Sequence, residues 1–594
     1  MNYLFDCENL KDPAIKEINR QLKRLNLQRT LLVLSRAAKT KYYPKSAIQE
    51  TGLSPDDIFF SPGFLPEWEL AYMSQQAIYL SNEHKRELME FPDLYKFQRL
   101  LIEQIDPILD EDNLTNDQRT AAMIRRIKNT QYPYDNFPHY KKLMRMLKIL
   151  EQGDLSYDYK DRFKTATNGI EHDVFVTLCM RIDYELNMLF KNNTLDKDIY
   201  LLDSDVVSVD KDTNDKFFKL LTLNHTEFKC LYEQIMKEQI DKLNSDGQDG
   251  KELYYKLHTV MPNVLRHKPL FYYDKKQIMC PSPKMFEFFY NEFISRILFD
   301  QDKMEFTHWF GKAFENYCKE VTDRFLNKTY QILYEKQYYE EIKGSWWDGP
   351  ADISILFDDI AVMFECKNFT TRMQGVITGR ESPNQNEWTN IQKRLLEIVL
   401  QVFKHIKILK TKLSETKVQN EFKHIKRFFP FIVTYRNIYD INTPYENVKN
   451  DCLKFLSSDK RKEIGNINDE EINFVVISPD EFELLIVLLA ENKKLFIECL
   501  NELFTINCFY MRVLGKDDIS PQRMYEGAYG YQDREIGEKV QGYEPFEIIA
   551  KYCEKAGLDY RCHKQYQFLE EYFKDLIKKA NKKIDYKDPV ITKS

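Results

Sequence analysis

Three ionisable residues in the middle of the chain have the types and spacing to act together. The runs 351-ADISILF-357 and 360-IAVMFECK-367 are apolar and β-like, and Asp358-Asp359 between them is a hairpin turn signal. Alternate side chains of a strand share a face, so Ala361, Met363, Glu365 and Lys367 lie on one side and Ile360, Val362, Phe364 and Cys366 on the other. A carboxylate and an ammonium therefore project together from the end of an otherwise apolar strand, where unpartnered charges are costly. Antiparallel pairing about the turn brings Asp352 beside Glu365 and Cys366. Two carboxylates at close range repel, which makes a divalent cation the natural occupant, and an open, oxygen-rich site favours Mg²⁺ or Mn²⁺. Such an ion polarises a phosphate oxygen and lowers the pKa of a bound water. Lys367 either orients that water or stabilises charge on the transition state, and the sequence leaves both roles open.

The surrounding pattern supplies elements to hold these groups. Residues 307–327 read as a helix and 329-TYQILYEKQYY-339 as a strand. After the hairpin comes a polar loop over roughly 368–387, then a helix over 388–415. The runs 429-FPFIVTY-435 and 473-NFVVIS-478 read as buried strands, and a helix opens at 479-PDEFELL-485 with proline in its first turn. The order helix, three strands, helix, two strands, helix predicts a mixed α/β domain.

The string 350-PADISILFDDIAVMFECK-367 resembles the motif of the PD-(D/E)xK, or restriction endonuclease-like, nuclease superfamily: an Asp opening one strand, then Glu-x-Lys on the next. The Pro-Asp pair is interrupted by Ala351, and the proline is dispensable in that superfamily. The helical stretch 311-GKAFENY-317 is similar to a Gly-x-x-Phe-Glu-x-Tyr segment of many members, which implies a further metal-side carboxylate at Glu315. Members often place a glutamine on the downstream helix, implying Gln401, with Gln392 as a second option. The phrase 364-FECKNFTTRMQG-375 also resembles the nuclease-related domain abbreviated NERD. The resemblance covers about 300–490 and implies a restriction-endonuclease-like core sheet with flanking helices. It further implies catalytic Asp352, Glu365, Lys367 and Gln401, and a metal held by Glu315, Asp352 and Glu365. DNA is the substrate it favours, with RNA left open. By analogy alone, a nuclease joined to an unfamiliar helical module resembles prokaryotic antiphage-defence or restriction components. A nuclease fold that has lost catalysis and serves in nucleic-acid binding or assembly is the alternative.

Arg372, Arg380, Lys393 and Arg394, in or after the loop that follows the site, are candidates for holding a phosphate backbone; a plain charged surface is the other reading. Trp346 and Trp347, between Gly344 and Gly349, either wedge against a nucleic acid or pack.

The chain of 594 residues exceeds what one core holds and divides into an N-terminal helical region (1–300), the nuclease domain (301–490) and a helical C-terminal region (491–594). Helical spacing recurs at 12–28, 84–105, 116–130, 140–151, 172–192 and 226–244. Residues 41–58 read as a helical hairpin, with a helix-turn-helix as the sharper alternative, and 526–543 as a Gly- and Tyr-rich loop. The helical regions are expected to sense a trigger, bind a protein partner, form a homo-oligomer or restrain the nuclease.

A net charge of −7 gives no support of its own to nucleic-acid binding, so any basic groove must be local. The 11 cysteines are dispersed without a CxxC pair, which predicts reduced thiols in a cytoplasmic protein and no zinc ribbon. No secretory leader, membrane span, Walker loop or Gly-x-Ser-x-Gly elbow is evident. The ten histidines are isolated, His308 and His405 near the site included, so no histidine mechanism is expected.

Overall fold

A computed structural model describes residues 9–10, 12–42, 67–90, 93–102, 141–191, 201–203, 209–245, 249–256, 263–273, 277–326, 329–335, 351–368, 396–404, 406–407, 424–435, 459, 473–505, 511–513, 540–542, 545–559 and 564–584. The protein is mixed α/β and mostly helical.

The central sheet has five strands in the order β5(Gln331–Tyr334)-β6(Ile353–Phe357)-β7(Ile360–Lys367)-β8(Arg427–Thr434)-β9(Val475–Ile477). The first three are antiparallel neighbours, and β7, β8 and β9 run parallel. Their sequence order with the helices is the one the apolar patterning predicts. The tight β6–β7 turn is made at Asp358, whose φ of +49° lies in the left-handed region that Asp tolerates better than most residues.

Strands β6 and β7 are buried along nearly their whole length, so both sheet faces are covered. On the Phe364 face, the helix Pro479–Glu491 brings Phe482 edge-on to the Phe364 ring. The helix Lys303–Leu326 packs on β7 beside it. On the opposite face, Gln401 of the helical residues 396–404 reaches Glu365. The helix Pro479–Glu491 starts cleanly because Ser478 and Glu481 form a reciprocal capping box and Pro479 fills a position that has no helical N–H bond to make.

A buried ionic cluster ties this core to helices far away in sequence. Arg145, on the helix Lys141–Glu151, forks onto Glu483 at 2.6 and 2.9 Å and also pairs with Asp480. Lys141 pairs with the same Asp480 and stands 3.3 Å from the ring centroid of Tyr566, on the helix Lys564–Lys583. Burial pushes the Lys141 ammonium down to about 7 despite these anions. Tyr317, on the Glu315 helix, donates to Glu483 at 2.6 Å. The apolar core around the sheet accordingly includes side chains from 143–221 and 548–580. A second apolar core gathers residues 10–97 with parts of 223–285.

Several expectations for the flanks are corrected. The stretch 12–28 is not one helix: Pro13–Leu22 ends at Lys23, and Leu27–Tyr42 restarts with the Asn26 carboxamide accepting from the Arg29 N–H at 3.0 Å. Within 84–105, the described residues 84–90 are not helical and Asp93–Ile102 are. The N-terminal region also holds a four-stranded sheet, in the order β1(Leu201–Asp203)-β4(Gln277–Met279)-β3(Leu270–Tyr272)-β2(Thr222–Leu223). In the tail, β10(Met511–Val513) pairs with β11(Val540–Gly542), so a strand occupies the end of the segment read as a loop. Helix 116–130, residues 43–58 and most of 526–543 lie outside the described residues.

No described helix is long and apolar enough to cross a membrane. The seven described cysteines are free thiols.

Candidate active site

The site stands at one end of the β6–β7 hairpin. Ile353 pairs with Phe364, so continuing that antiparallel register one step sets Asp352 opposite Glu365. Directly opposed residues point to the same face with Cβ atoms about 5 Å apart, and Asp352, Glu365 and Lys367 therefore share a face. Asp352 turns one oxygen back to its neighbour strand, where Oδ2 accepts the Cys366 backbone N–H at 2.7 Å. That bond fixes the carboxylate while leaving Oδ1 available.

Glu365 is only 1% exposed. Its Oε1 accepts from Lys367 Nζ at 2.6 Å and from Gln401 Nε2 at 3.3 Å. Its Oε2 is buried and has no hydrogen-bond partner among the described residues. A buried polar atom left in that condition costs about 1–3 kcal/mol, so it calls for a donor or a cation.

Glu315 reaches the site from the helix Lys303–Leu326. Its carboxylate is ion-paired with Lys319 one turn on. The same carboxylate also stands within 4.8 Å of Asp352 and of Glu335. Both descriptions of Glu315 hold at once.

Glu335 was not singled out from the sequence. It directly follows β5, whose last residue Tyr334 pairs with Ile353, the residue after Asp352, and its carboxylate comes within 4.8 Å of that of Asp352. Glu335 and Asp352 thus stand just beyond the paired ends of β5 and β6. The sequence-based strand at 329–339 contained Glu335, but nothing in the sequence set the β5–β6 register.

Four carboxylates face two ammonium groups, Lys319 and Lys367, a formal excess of two negative charges. The titration behaviour follows. Burial holds the Asp352 carboxyl well above the usual carboxylate range, and the charge of Glu365 adds to it. Burial also raises Glu365, with Lys367 opposing, and it raises Glu335, with Glu315 adding. Lys367 is raised even though burial opposes it, because Glu365 and Asp352 favour its charged form.

The structure therefore brings together Asp352, Glu365, Lys367, Gln401 and Glu315. Arg372, Arg380, Lys393, Arg394, Gln392, Trp346, Trp347 and His405 lie outside the described residues. His308 shows no contact with the cluster among the described interactions.

Compared with known proteins, the chain matches no family model, no curated protein and no solved structure. Function must accordingly be argued from these side chains.

Proposed function

We propose that the protein is a metal-dependent nuclease that hydrolyses phosphodiester bonds, with a restriction-endonuclease-like core formed by β5–β9 and their helices. The observation that carries this reading is the convergence of Asp352, Glu365 and Lys367 at one end of a hairpin, with Gln401 on Glu365 at 3.3 Å. An excess of two negative charges in a partly buried site suits one divalent cation, and the all-oxygen donor set suits Mg²⁺ or Mn²⁺. Asp352, Glu315 and Glu365 are the residues to hold it. When bound, the ion would polarise a phosphate oxygen and acidify a water.

The remaining work falls to the chain's own residues. Lys367 is held in its charged form beside Glu365, so it can donate to a phosphate oxygen or to the attacking water. Gln401 and Lys367 share Oε1 of Glu365 and so fix its orientation. The buried Arg145–Glu483–Tyr317 bonds anchor the helix that presents Glu315. The resemblance makes DNA the favoured nucleic acid and a cytoplasmic antiphage-defence or restriction role the favoured setting. Arg372, Arg380, Lys393 and Arg394 remain the proposed backbone-binding cations, and the flanking helices the proposed surface for a partner or a second copy.

The test is incubation of the full chain with linear, circular and single-stranded DNA and with RNA, in Mg²⁺ or Mn²⁺, with Glu365→Ala purified in parallel. Metal-dependent cleavage by wild type alone supports the reading. Equal cleavage by both proteins would mean that a contaminant cuts, and the assignment would fall.

A further inference from the structure

We infer that Glu335, which no sequence motif marks, is a direct ligand of the divalent cation, completing with Glu315 and Asp352 a seat that spans the ends of β5 and β6 and one turn of helix. The inference rests on the nuclease reading of this site and adds a residue to it.

The first support is position. Glu315, Glu335 and Asp352 each offer a carboxylate oxygen, and these oxygens all lie within 4.8 Å of one another. Two oxygens on opposite sides of an ion stand about 4.2 Å apart for Mg²⁺ and up to about 5 Å for Ca²⁺, given metal–oxygen distances of roughly 2.1 to 2.5 Å. The spacing therefore fits a cation of this class with little or no side-chain movement.

The second support is independent of the cluster's acidity. Glu365 precedes Cys366, whose N–H Asp352 accepts; it is 1% exposed, and its Oε2 has no hydrogen-bond partner among the described residues. Lys367 and Gln401 are both spent on its other oxygen. An ion held by Glu335 and Asp352, or a water on that ion, would give Oε2 the partner it lacks among the described residues.

The third support is electrostatic arrangement. Like charges at close range repel, and here Glu315, Glu335 and Asp352 bring carboxylate oxygens within 4.8 Å of one another. Lys319 relieves Glu315 and Lys367 relieves Glu365. Among the described residues, neither Glu335 nor Asp352 forms an ion pair with a lysine of its own.

The experiment is calorimetric titration of the metal-stripped full chain with Mn²⁺ and with Ca²⁺, which needs no substrate. Wild type, Glu335→Gln, Glu335→Asp and Asp352→Asn are compared, with the exposed Glu554→Gln as a control. Glu335→Gln is expected to weaken binding at least tenfold. Glu335→Asp keeps the charge but shortens the reach, and is expected to fall between Gln and wild type. Glu554→Gln should match wild type. Circular dichroism melts in EDTA show which variants are folded; if the Gln variant does not fold, the Asp variant decides. If a folded Glu335 variant binds like wild type while Asp352→Asn does not, Glu335 is no ligand, and the nuclease reading is untouched. If wild type itself binds neither ion, the inference and the reading it rests on both fail.

Discussion

Gln401 Nε2 donates to Glu365 Oε1 at 3.3 Å across 36 residues of sequence, joining the helical residues 396–404 to the end of β7. Together with Lys367 on the same oxygen, it makes Glu365 the most constrained carboxylate of the site. Removing the amide should loosen the orientation of Glu365 without changing the charge of the site. Gln401→Ala is therefore predicted to lower the cleavage rate about 10–100-fold, as loss of a supporting contact does at metal sites, while the protein melts as wild type does. Single-turnover kinetics at saturating metal checks this; an unchanged rate would make Gln401 a bystander.

Lys367 is predicted to separate metal binding from chemistry. Lys367→Met removes the ammonium but no carboxylate, so divalent ions should still bind. The rate should fall by at least about 100-fold, the usual cost of losing a positioned charge at a transition state. Parallel calorimetry and cleavage assays test the split. Loss of metal binding with the rate would instead assign Lys367 a structural role.

The raised carboxyls carry a pH signature in the metal-free protein. The Asp352 carboxyl is held above its ordinary range by burial and by Glu365, and Glu365 is raised by burial too. A carboxyl raised in the folded state binds more protons folded than unfolded. Its contribution to stability is fully present below about pH 4, the unfolded value, and is lost as pH rises through the folded value. Melting temperature in EDTA should accordingly fall across that window beyond the loss shown by Asp352→Asn. A divalent cation should restore it at neutral pH in wild type and not in Asp352→Asn. Identical pH curves for the two proteins would contradict the electrostatic account.

Much of this site was legible because a period-2 pattern and a two-residue turn fix a hairpin and its register together. Asp352 could thus be set beside Glu365 and Cys366 from sequence alone. Glu335 was not legible, because its place depends on pairing between β5 and β6, and the connection between them is too long for a turn type to set a register. Strands β1 to β4 were missed for a related reason: runs of two or three residues are too short to show any period. The helical signal at 84–105 overran its start because apolar spacing was followed across Pro92. The pairing of Arg145 with Asp480 and Glu483 spans more than 330 residues, and only the folded chain reveals it.

That buried cluster gives a stability prediction independent of activity. Arg145→Met leaves Glu483 a buried anion without its cation and Asp480 with Lys141 alone, which should cost about 3–5 kcal/mol. Tyr317→Phe removes one bond to Glu483 and should cost about 1–2 kcal/mol. Urea titrations of both variants check the order. A Tyr317→Phe loss as large as that of Arg145→Met would show that the hydroxyl, not the guanidinium, holds the cluster.

The central claim is that Asp352, Glu365 and Lys367 form one hydrolytic centre. Its most direct measurement is conversion of supercoiled DNA to nicked or linear product by wild type and by Asp352→Asn, in Mn²⁺ and in EDTA. The account predicts product with wild type in Mn²⁺ and none with wild type in EDTA or with the variant in either. Product formed equally by wild type and variant, or by wild type regardless of metal, would contradict it.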